Sequence, residues 1–148
     1  VGGLPAMAGD VESVTEYQRA VWHRQVRAEV AAGDDYVSDR MADSLAYSAL
    51  RAAPGTVASL MAGEVAEGSP YAKRVRGGTV FFVRPHQHLL REDGVRTDVD
   101  WEGVVRMDGA ILMLLSMMDV PYVPISCPEV SDRLRVVEGV LGVPVGAR

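Results

Sequence analysis

Apolar residues recur along the chain with two spacings, one typical of amphipathic helices and the other of short buried strands. Helical spacing predicts helices over 10–32, 41–52, 56–67, 101–118 and 128–141. Short apolar runs predict strands over 79–83 and 122–126, with a weaker candidate over 35–39. Because strands that alternate with helices are joined by crossover connections, this order predicts an α/β fold with a parallel sheet covered on both faces.

The same spacing identifies which faces of the last two long helices should be buried. In the earlier helix, the predicted inward stripe consists of Val104, Ile111, Leu115 and Met118. Asp119 is predicted to end that helix. In the closing helix, the predicted inward residues are Val130, Leu134, Val137 and Leu141. The core is also predicted to contain Met107, Met113, Met117 and Met118.

Length and composition narrow the class of protein. The chain has 148 residues, 48% apolar and 24% charged, which predicts one folded domain over 1–148. The longest predominantly apolar stretch, 110–118, is far shorter than the roughly 18 residues that span a bilayer, so no membrane partner is predicted. The single cysteine, Cys127, excludes an internal disulfide and a multi-cysteine zinc site, and favours a cytoplasmic setting. The net charge of −5 argues against non-specific nucleic-acid binding.

Charged or polar residues follow each predicted strand. Asp39 and Arg40 come at the end of the first strand, Arg84 after the second and Ser126 at the end of the third. Ligands of open parallel sheets bind beyond the carboxyl ends of the strands. Acids and arginines at that edge suit a ligand made of magnesium and phosphate.

Several of these residues allow two interpretations. Asp39 could hold magnesium while Arg40 binds a phosphate, or Asp39 could cap the next helix and leave Arg40 solvated. The loop 85–98, which carries Arg91 and Arg96, could be a lid that closes over phosphates or an ordinary surface loop.

Other kinds of site find little support in the residues. His86 and His88 have no third metal ligand at a recognisable spacing, and Cys127 has no histidine arrangement that would make it a nucleophile. No Gly-x-Ser-x-Gly sequence and no dinucleotide-binding glycine fingerprint occur, which argues against a serine hydrolase and a dinucleotide-binding fold.

Two stretches resemble P-loop kinases. The stretch 37–47 resembles the part of thymidylate kinases in which a strand ends in Asp-Arg and leads into a Ser-x-Ala-Tyr helix. The downstream part is similar to the P-loop ATPase and kinase group that contains nicotinamide riboside kinase domains. In that group an apolar strand is followed by a loop that reads Asp-Gly-Val-Arg, a long helix, a strand and a final helix with an early arginine. The matching parts of this chain are 80–83, 93–96, 101–118, 122–126 and Arg133.

The resemblance implies a three-layer αβα P-loop kinase-like fold and a phosphotransferase that uses ATP and Mg²⁺. The catalytic residues that it implies are Asp39, which would also bind the metal, Arg40, Arg91 and Arg96. It places Arg40, Asp43 and Tyr47 at the acceptor, and Arg84 and Ser126 at the nucleotide. The acceptor would be a nucleoside, a nucleotide, nicotinamide riboside or a modified base in DNA. A homodimer would use the helix over 56–67.

One P-loop element has no counterpart in the chain. The phosphate loop of such kinases ends in Gly-Lys-Ser/Thr, whereas this sequence has no Gly-Lys pair, and Lys73 is its only lysine. The first strand and the phosphate loop are therefore expected immediately upstream of Val1. If the loop is truly absent, the alternative is a non-catalytic P-loop relative that binds a nucleotide or a partner.

Overall fold

The computed structural model describes residues 11–41, 43, 45–46, 69–90 and 100–143. In this part of the chain the helices are α1 (Val11–Ala32), α2 (Pro70–Arg76), α3 (Trp101–Met117) and α4 (Val130–Leu141). The strands are β1 (Phe81–Val83) and β2 (Val123–Ile125), and a 3-10 turn covers Gln87–Leu89. Residues 43, 45 and 46 also have helical backbone, as the prediction over 41–52 requires. The predicted helix over 56–67 lies outside the described residues.

β1 and β2 form a parallel sheet of two strands, in which Val83 is level with Ile125. The amide of Val123 donates to the carbonyl of Val80 at 2.8 Å, and the amide of Arg84 donates to that of Ile125 at 2.9 Å. The chain passes from β1 to β2 through α3, because parallel strands need a long crossover connection. The predicted α/β class and the parallel pairing of these two strands are thus confirmed.

The segment after α1 differs from its prediction. α1 ends at Ala32, and the next residue, Gly33, has a φ of +80°, which glycine adopts without strain. Residues 34–41 form no strand, so the predicted strand over 35–39 is wrong. A strand needs a neighbour for its backbone hydrogen bonds, and the described sheet consists of β1 and β2 alone. Val37 is 99% exposed, so burial does not favour a strand there either.

Helix α2 was not expected from the sequence, although a signal marks its start. The hydroxyl of Ser69 accepts a hydrogen bond from the amide of Ala72 at 3.1 Å, and Pro70 occupies the first helical position. Tyr71, Ala72 and Val75 are buried. With only 7 residues, the helix is too short for a hydrophobic period to stand out.

The core lies where α1, α2, α3 and β1 meet. Trp22 of α1 packs edge-on against Tyr71 of α2, with 4.5 Å between the ring centroids. α3 contributes Leu114, Leu115 and Met118, which are completely buried or nearly so. Two residues of the predicted inward stripe, Leu115 and Met118, therefore lie in the core, and Val104 and Ile111 are half-buried. α3 ends as predicted, because Asp119 has a left-handed φ of +51°.

The face of α4 that was predicted to be buried is open. Val130, Leu134 and Leu141 are 67%, 55% and 54% exposed, Val137 is half-buried, and no residue of α4 is buried. That prediction is wrong because no described element covers this side of the helix. Met113 and Met117 are also exposed, so the prediction that the methionines fill the core fails for them. None of the described helices has the length and apolar character needed to cross a membrane.

Candidate functional site

An open cleft of about 270 Å³ lies beyond the carboxyl ends of β1 and β2. Its walls come from the residues that leave β1, the 3-10 turn, and the first turns of α3 and α4. The lining consists of Val83, Arg84, Pro85, His86, Leu89, Leu90, Trp101, Val104 and Arg133. Because β1 and β2 are parallel, both strands point toward this edge, where ligands of open parallel sheets bind.

Arg84, the first residue after β1, forms an ion pair with Asp108 of α3. Its Nη2 lies 2.7 Å from Oδ2 of Asp108, whose side chain is only 9% exposed. Burial raises the pKa of Asp108, and the guanidinium of Arg84 offsets part of that rise. The guanidinium also lies 5.4 Å from the centroid of the Phe82 ring. Contacts with Asp108 and Phe82 therefore fix the orientation of Arg84 at the cleft.

His86 and Arg133 add polar groups to the cleft wall. The Nε2 atom of His86 is buried and has no hydrogen-bond partner among the described residues. The Nε atom of Arg133 donates to the carbonyl of Cys127 at 2.9 Å. Its two terminal nitrogens have no partner among the described residues. Because buried polar atoms without partners are rare, His86 Nε2 is a group that a ligand or water could satisfy.

The cleft thus combines two guanidinium groups with an apolar wall. Trp101, Leu89 and Leu90 supply the apolar surface, and no carboxylate lines the cleft in the described part of the chain. Arginine binds phosphate through paired hydrogen bonds, and an aromatic wall accommodates a flat apolar group. The arrangement fits a small anion attached to an aromatic ring system, such as a phosphorylated nucleoside.

Asp39 and Arg40 lie on the segment that follows α1. Both are exposed, and neither side chain has a hydrogen-bond or ion-pair partner among the described residues. No described backbone amide donates to the carboxylate of Asp39, and residue 42, whose amide a cap at Asp39 would use, lies outside the described residues. Asp43 is half-buried, and its Oδ2 accepts a hydrogen bond from the amide of Met41 at 3.3 Å.

The cleft brings together only part of the predicted site. Arg84 lines it, and Ser126 is exposed directly after β2. The lining does not include Asp39, Arg40 or Asp43. The remaining predicted site residues, Tyr47, Arg91 and Arg96, lie outside the described residues, as does the greater part of the loop 85–98. The described residues contain no group of three acids, histidines or cysteines that could hold a metal ion.

Sequence reasoning missed Asp108 as the partner of Arg84. A signal was present, because Asp108 lies four residues after Val104 and three before Ile111, on the stripe that the spacing marks as inward. An acid on such a stripe needs a cation or hydrogen-bond donors, and the arginine after β1 was already a candidate. His86 gave no comparable signal, since nothing in its neighbourhood along the chain indicates burial of its ring nitrogen.

Comparison with known proteins does not assign the chain to a family. No protein-family model, curated protein or solved structure matches it. The function is therefore argued from the chemistry of the cleft and of the residues around it.

Proposed function

We propose that the chain is an ATP- and Mg²⁺-dependent phosphotransferase of the P-loop kinase class, acting on a nucleoside, a nucleotide or a related small acceptor. The observation that carries the proposal is the cleft beyond the parallel strands, where Arg84 and Arg133 flank an apolar wall. Phosphoryl transfer depends mainly on positioning and on neutralising charge, which arginines around a phosphate supply. The three-layer αβα fold belongs to this proposal.

Within this proposal, Arg84 and Ser126 act at the nucleotide, and Arg91 and Arg96 act from the loop 85–98. Arg40, with Asp43 and Tyr47, binds the acceptor. Asp39 is the carboxylate on the magnesium side. A single exposed carboxylate suits Mg²⁺, which keeps several waters and takes its other ligands from phosphate groups. When bound, the ion would neutralise phosphate charge.

A second candidate is a non-catalytic relative that binds a nucleotide or a partner. The composition of the cleft lining favours it, since the lining includes neither Asp39 nor any other carboxylate in the described part of the chain. This candidate keeps the nucleotide-binding role of Arg84 and Arg133 and lacks the transfer step.

Calorimetric titration of the chain with Mg-ADP, together with an assay of phosphate transfer from Mg-ATP to nucleosides and nucleotides, tests both candidates. We expect saturable binding that Arg133→Ala weakens about tenfold, because a charge-assisted contact is lost. Arg135→Ala is the matched control, since Arg135 lies on the same helix, is exposed and does not line the cleft. Binding without transfer supports the second candidate, and absence of nucleotide binding contradicts the first candidate and the nucleotide-binding form of the second.

A further inference from the structure

The segment that carries Asp39 and Arg40 is held by side chains of α1. Gln25 donates its side-chain amide to the carbonyl oxygens of Arg40 and Met41, both at 2.9 Å. The same amide nitrogen lies 3.0 Å from Oε1 of Glu29. One glutamine thus links α1 to two successive carbonyl groups at the end of the segment.

Glu29 is the second anchor of the segment. It is 6% exposed, and a buried carboxylate is stable only when hydrogen-bond donors surround it. The hydroxyl of Ser38 lies 3.0 Å from Oε1 of Glu29 and 2.8 Å from the carbonyl oxygen of Arg40. The hydroxyl of Tyr36 lies 3.5 Å from Oε2 of Glu29. Because the Ser38 hydroxyl has one proton, it donates to either the Glu29 carboxylate or the Arg40 carbonyl at a given moment, and both acceptors keep Ser38 close to α1.

Arg74 of α2 holds the start of the segment from another side. Its Nη2 donates to the carbonyl oxygen of Glu29 at 2.6 Å and also to that of Gly33. Its Nε lies 3.4 Å from the hydroxyl of Tyr36, and its guanidinium lies 5.1 Å from the centroid of the Tyr36 ring. The segment is thus fixed at both ends, by α1 and by α2.

The backbone at Arg40 is strained, and the side chains beside it are free. Arg40 has a φ of +116°, a region that residues with a Cβ rarely adopt. Such a conformation persists only where the surroundings impose it. The hydrogen bonds that Gln25 and Ser38 make to the Arg40 carbonyl do so. Asp39 and Arg40 meanwhile remain exposed and unpaired among the described residues.

We propose that Gln25 is a positioning residue, which holds the strained backbone of Arg40 so that the guanidinium is presented to an anionic acceptor. This inference rests on the proposed function, in which Arg40 meets the acceptor. Among the described residues, the side-chain amide of Gln25 donates to two backbone carbonyls and to Glu29, so it acts through Arg40 and not on the substrate. Ser38 supports it by binding the same carbonyl oxygen.

Limited tryptic digestion of the folded chain tests the contact independently of activity. Trypsin cleaves after Arg40, and the peptide that this cut releases is quantified by mass spectrometry. We expect Gln25→Leu, which removes the amide, to speed this cut about tenfold, since two hydrogen bonds to the local backbone are lost. Ser38→Ala, a smaller change at the surface, should speed it by a smaller factor. Gln87→Leu, at an exposed glutamine of the 3-10 turn, is the control and should leave the rate unchanged.

Kinetics then test whether the contact serves the acceptor. In Gln25→Leu we expect the KM for a nucleoside monophosphate acceptor to rise about tenfold, while the KM for ATP stays within about twofold. An unchanged cleavage rate at Arg40 overturns the positioning contact. Faster cleavage with an unchanged acceptor KM in an active enzyme overturns its role at the acceptor. Absence of transfer by the wild-type chain instead overturns the proposed function, and the digestion still reports on the contact itself.

Discussion

At the scale of single residues, Arg84 has two roles that are normally separate. It is the first side chain beyond β1 and lines the cleft, and it also neutralises the buried carboxylate of Asp108 at 2.7 Å. One oxygen of that carboxylate, Oδ1, is buried and has no hydrogen-bond partner in the part of the chain that the structure describes. The ion pair therefore contributes both to the stability of α3 and to the charge at the cleft. Replacing Arg84 or Asp108 should change the stability and the cleft charge together.

Replacement of Arg84 should destabilise the chain more than replacement of an exposed arginine. In Arg84→Ala the carboxylate of Asp108 stays buried and loses its partner, so we expect a loss of about 1 to 3 kcal/mol in the free energy of unfolding. Arg106→Ala is the control, since its ion pair with Glu102 is exposed on α3, and it should cost less than about 1 kcal/mol. Urea denaturation measures both. Equal effects would mean that the pair with Asp108 is not buried in solution.

The raised pKa of Asp108 predicts how stability depends on pH. Its folded-state pKa lies above the ordinary value of 3.8, mainly because burial disfavours the charged form. The folded chain therefore binds this proton more tightly than the unfolded chain does. The stabilising contribution is fully present below the ordinary carboxyl pKa and is lost as pH rises through the raised folded value.

Asp108→Asn removes this titration. We expect the free energy of unfolding of the wild type, minus that of the variant, to fall as pH rises from about 3 to about 7. Urea titrations at several pH values measure this difference. A difference that grows with pH would show that attraction to Arg84 outweighs burial.

At the scale of elements, the ends of the helices follow local chemistry. Gly142 caps α4 with a φ of +68°, and its amide donates to the carbonyl of Glu138. Gly139 lies inside the same helix, and a Cβ added there would meet no described atom within 4 Å other than its own helix backbone and chain neighbours. The two glycines are three residues apart in sequence. Gly139 has a helical backbone that any residue can adopt, whereas Gly142 has a left-handed backbone that favours glycine.

Alanine at these two glycines should change stability in opposite directions. Gly139→Ala should stabilise the chain by about 0.5 to 1 kcal/mol, because glycine inside a helix is entropically unfavourable. Gly142→Ala should destabilise it by about 1 kcal/mol, because a Cβ disfavours the left-handed conformation. Thermal unfolding of the two variants, each the control for the other, measures the contrast. Destabilisation by both would indicate that α4 packs against something at Gly139.

The same elements show how far the sequence predicts the fold. The run 79–83, the helix over 101–118 and the run 122–126 were predicted correctly, to within two residues at their ends, because their apolar patterns are long or continuous. The strand over 35–39 was not, since a strand depends on a neighbour that local sequence does not reveal. The chain stays close to α1 there through side-chain hydrogen bonds, which leave no periodic signal.

For the candidate site, the sequence predicted the edge of the sheet but not the contacts made there. The position of Arg84 after an apolar strand indicated the edge of the sheet at which the cleft lies. Its pairing with Asp108 and the approach of Arg133 depend on how α3 and α4 return to that edge. Such long-range packing is not encoded in the spacing of either helix alone.

At the scale of the whole molecule, apolar residues are distributed unevenly between α3 and α4. Leu114 of α3 is fully buried among α1, α2 and β1, whereas Leu134 of α4 is 55% exposed. The predicted inward residues included Leu134 and did not include Leu114, although Leu114 lies three residues after Ile111. The structure predicts that they contribute very differently to stability.

Leu114→Ala and Leu134→Ala test where the core lies. Leu114→Ala leaves a cavity among packed side chains and should lower the free energy of unfolding by about 2 to 5 kcal/mol. Leu134→Ala removes a side chain that is already half in water, so its effect should stay below about 1 kcal/mol. Urea denaturation of the two variants measures the loss in free energy of unfolding that the same leucine-to-alanine change causes at each site. A loss of stability at Leu134 as large as that at Leu114 would mean that the apolar face of α4 is covered in solution. If a second copy of the chain covers it, the urea midpoint of unfolding would then rise with protein concentration.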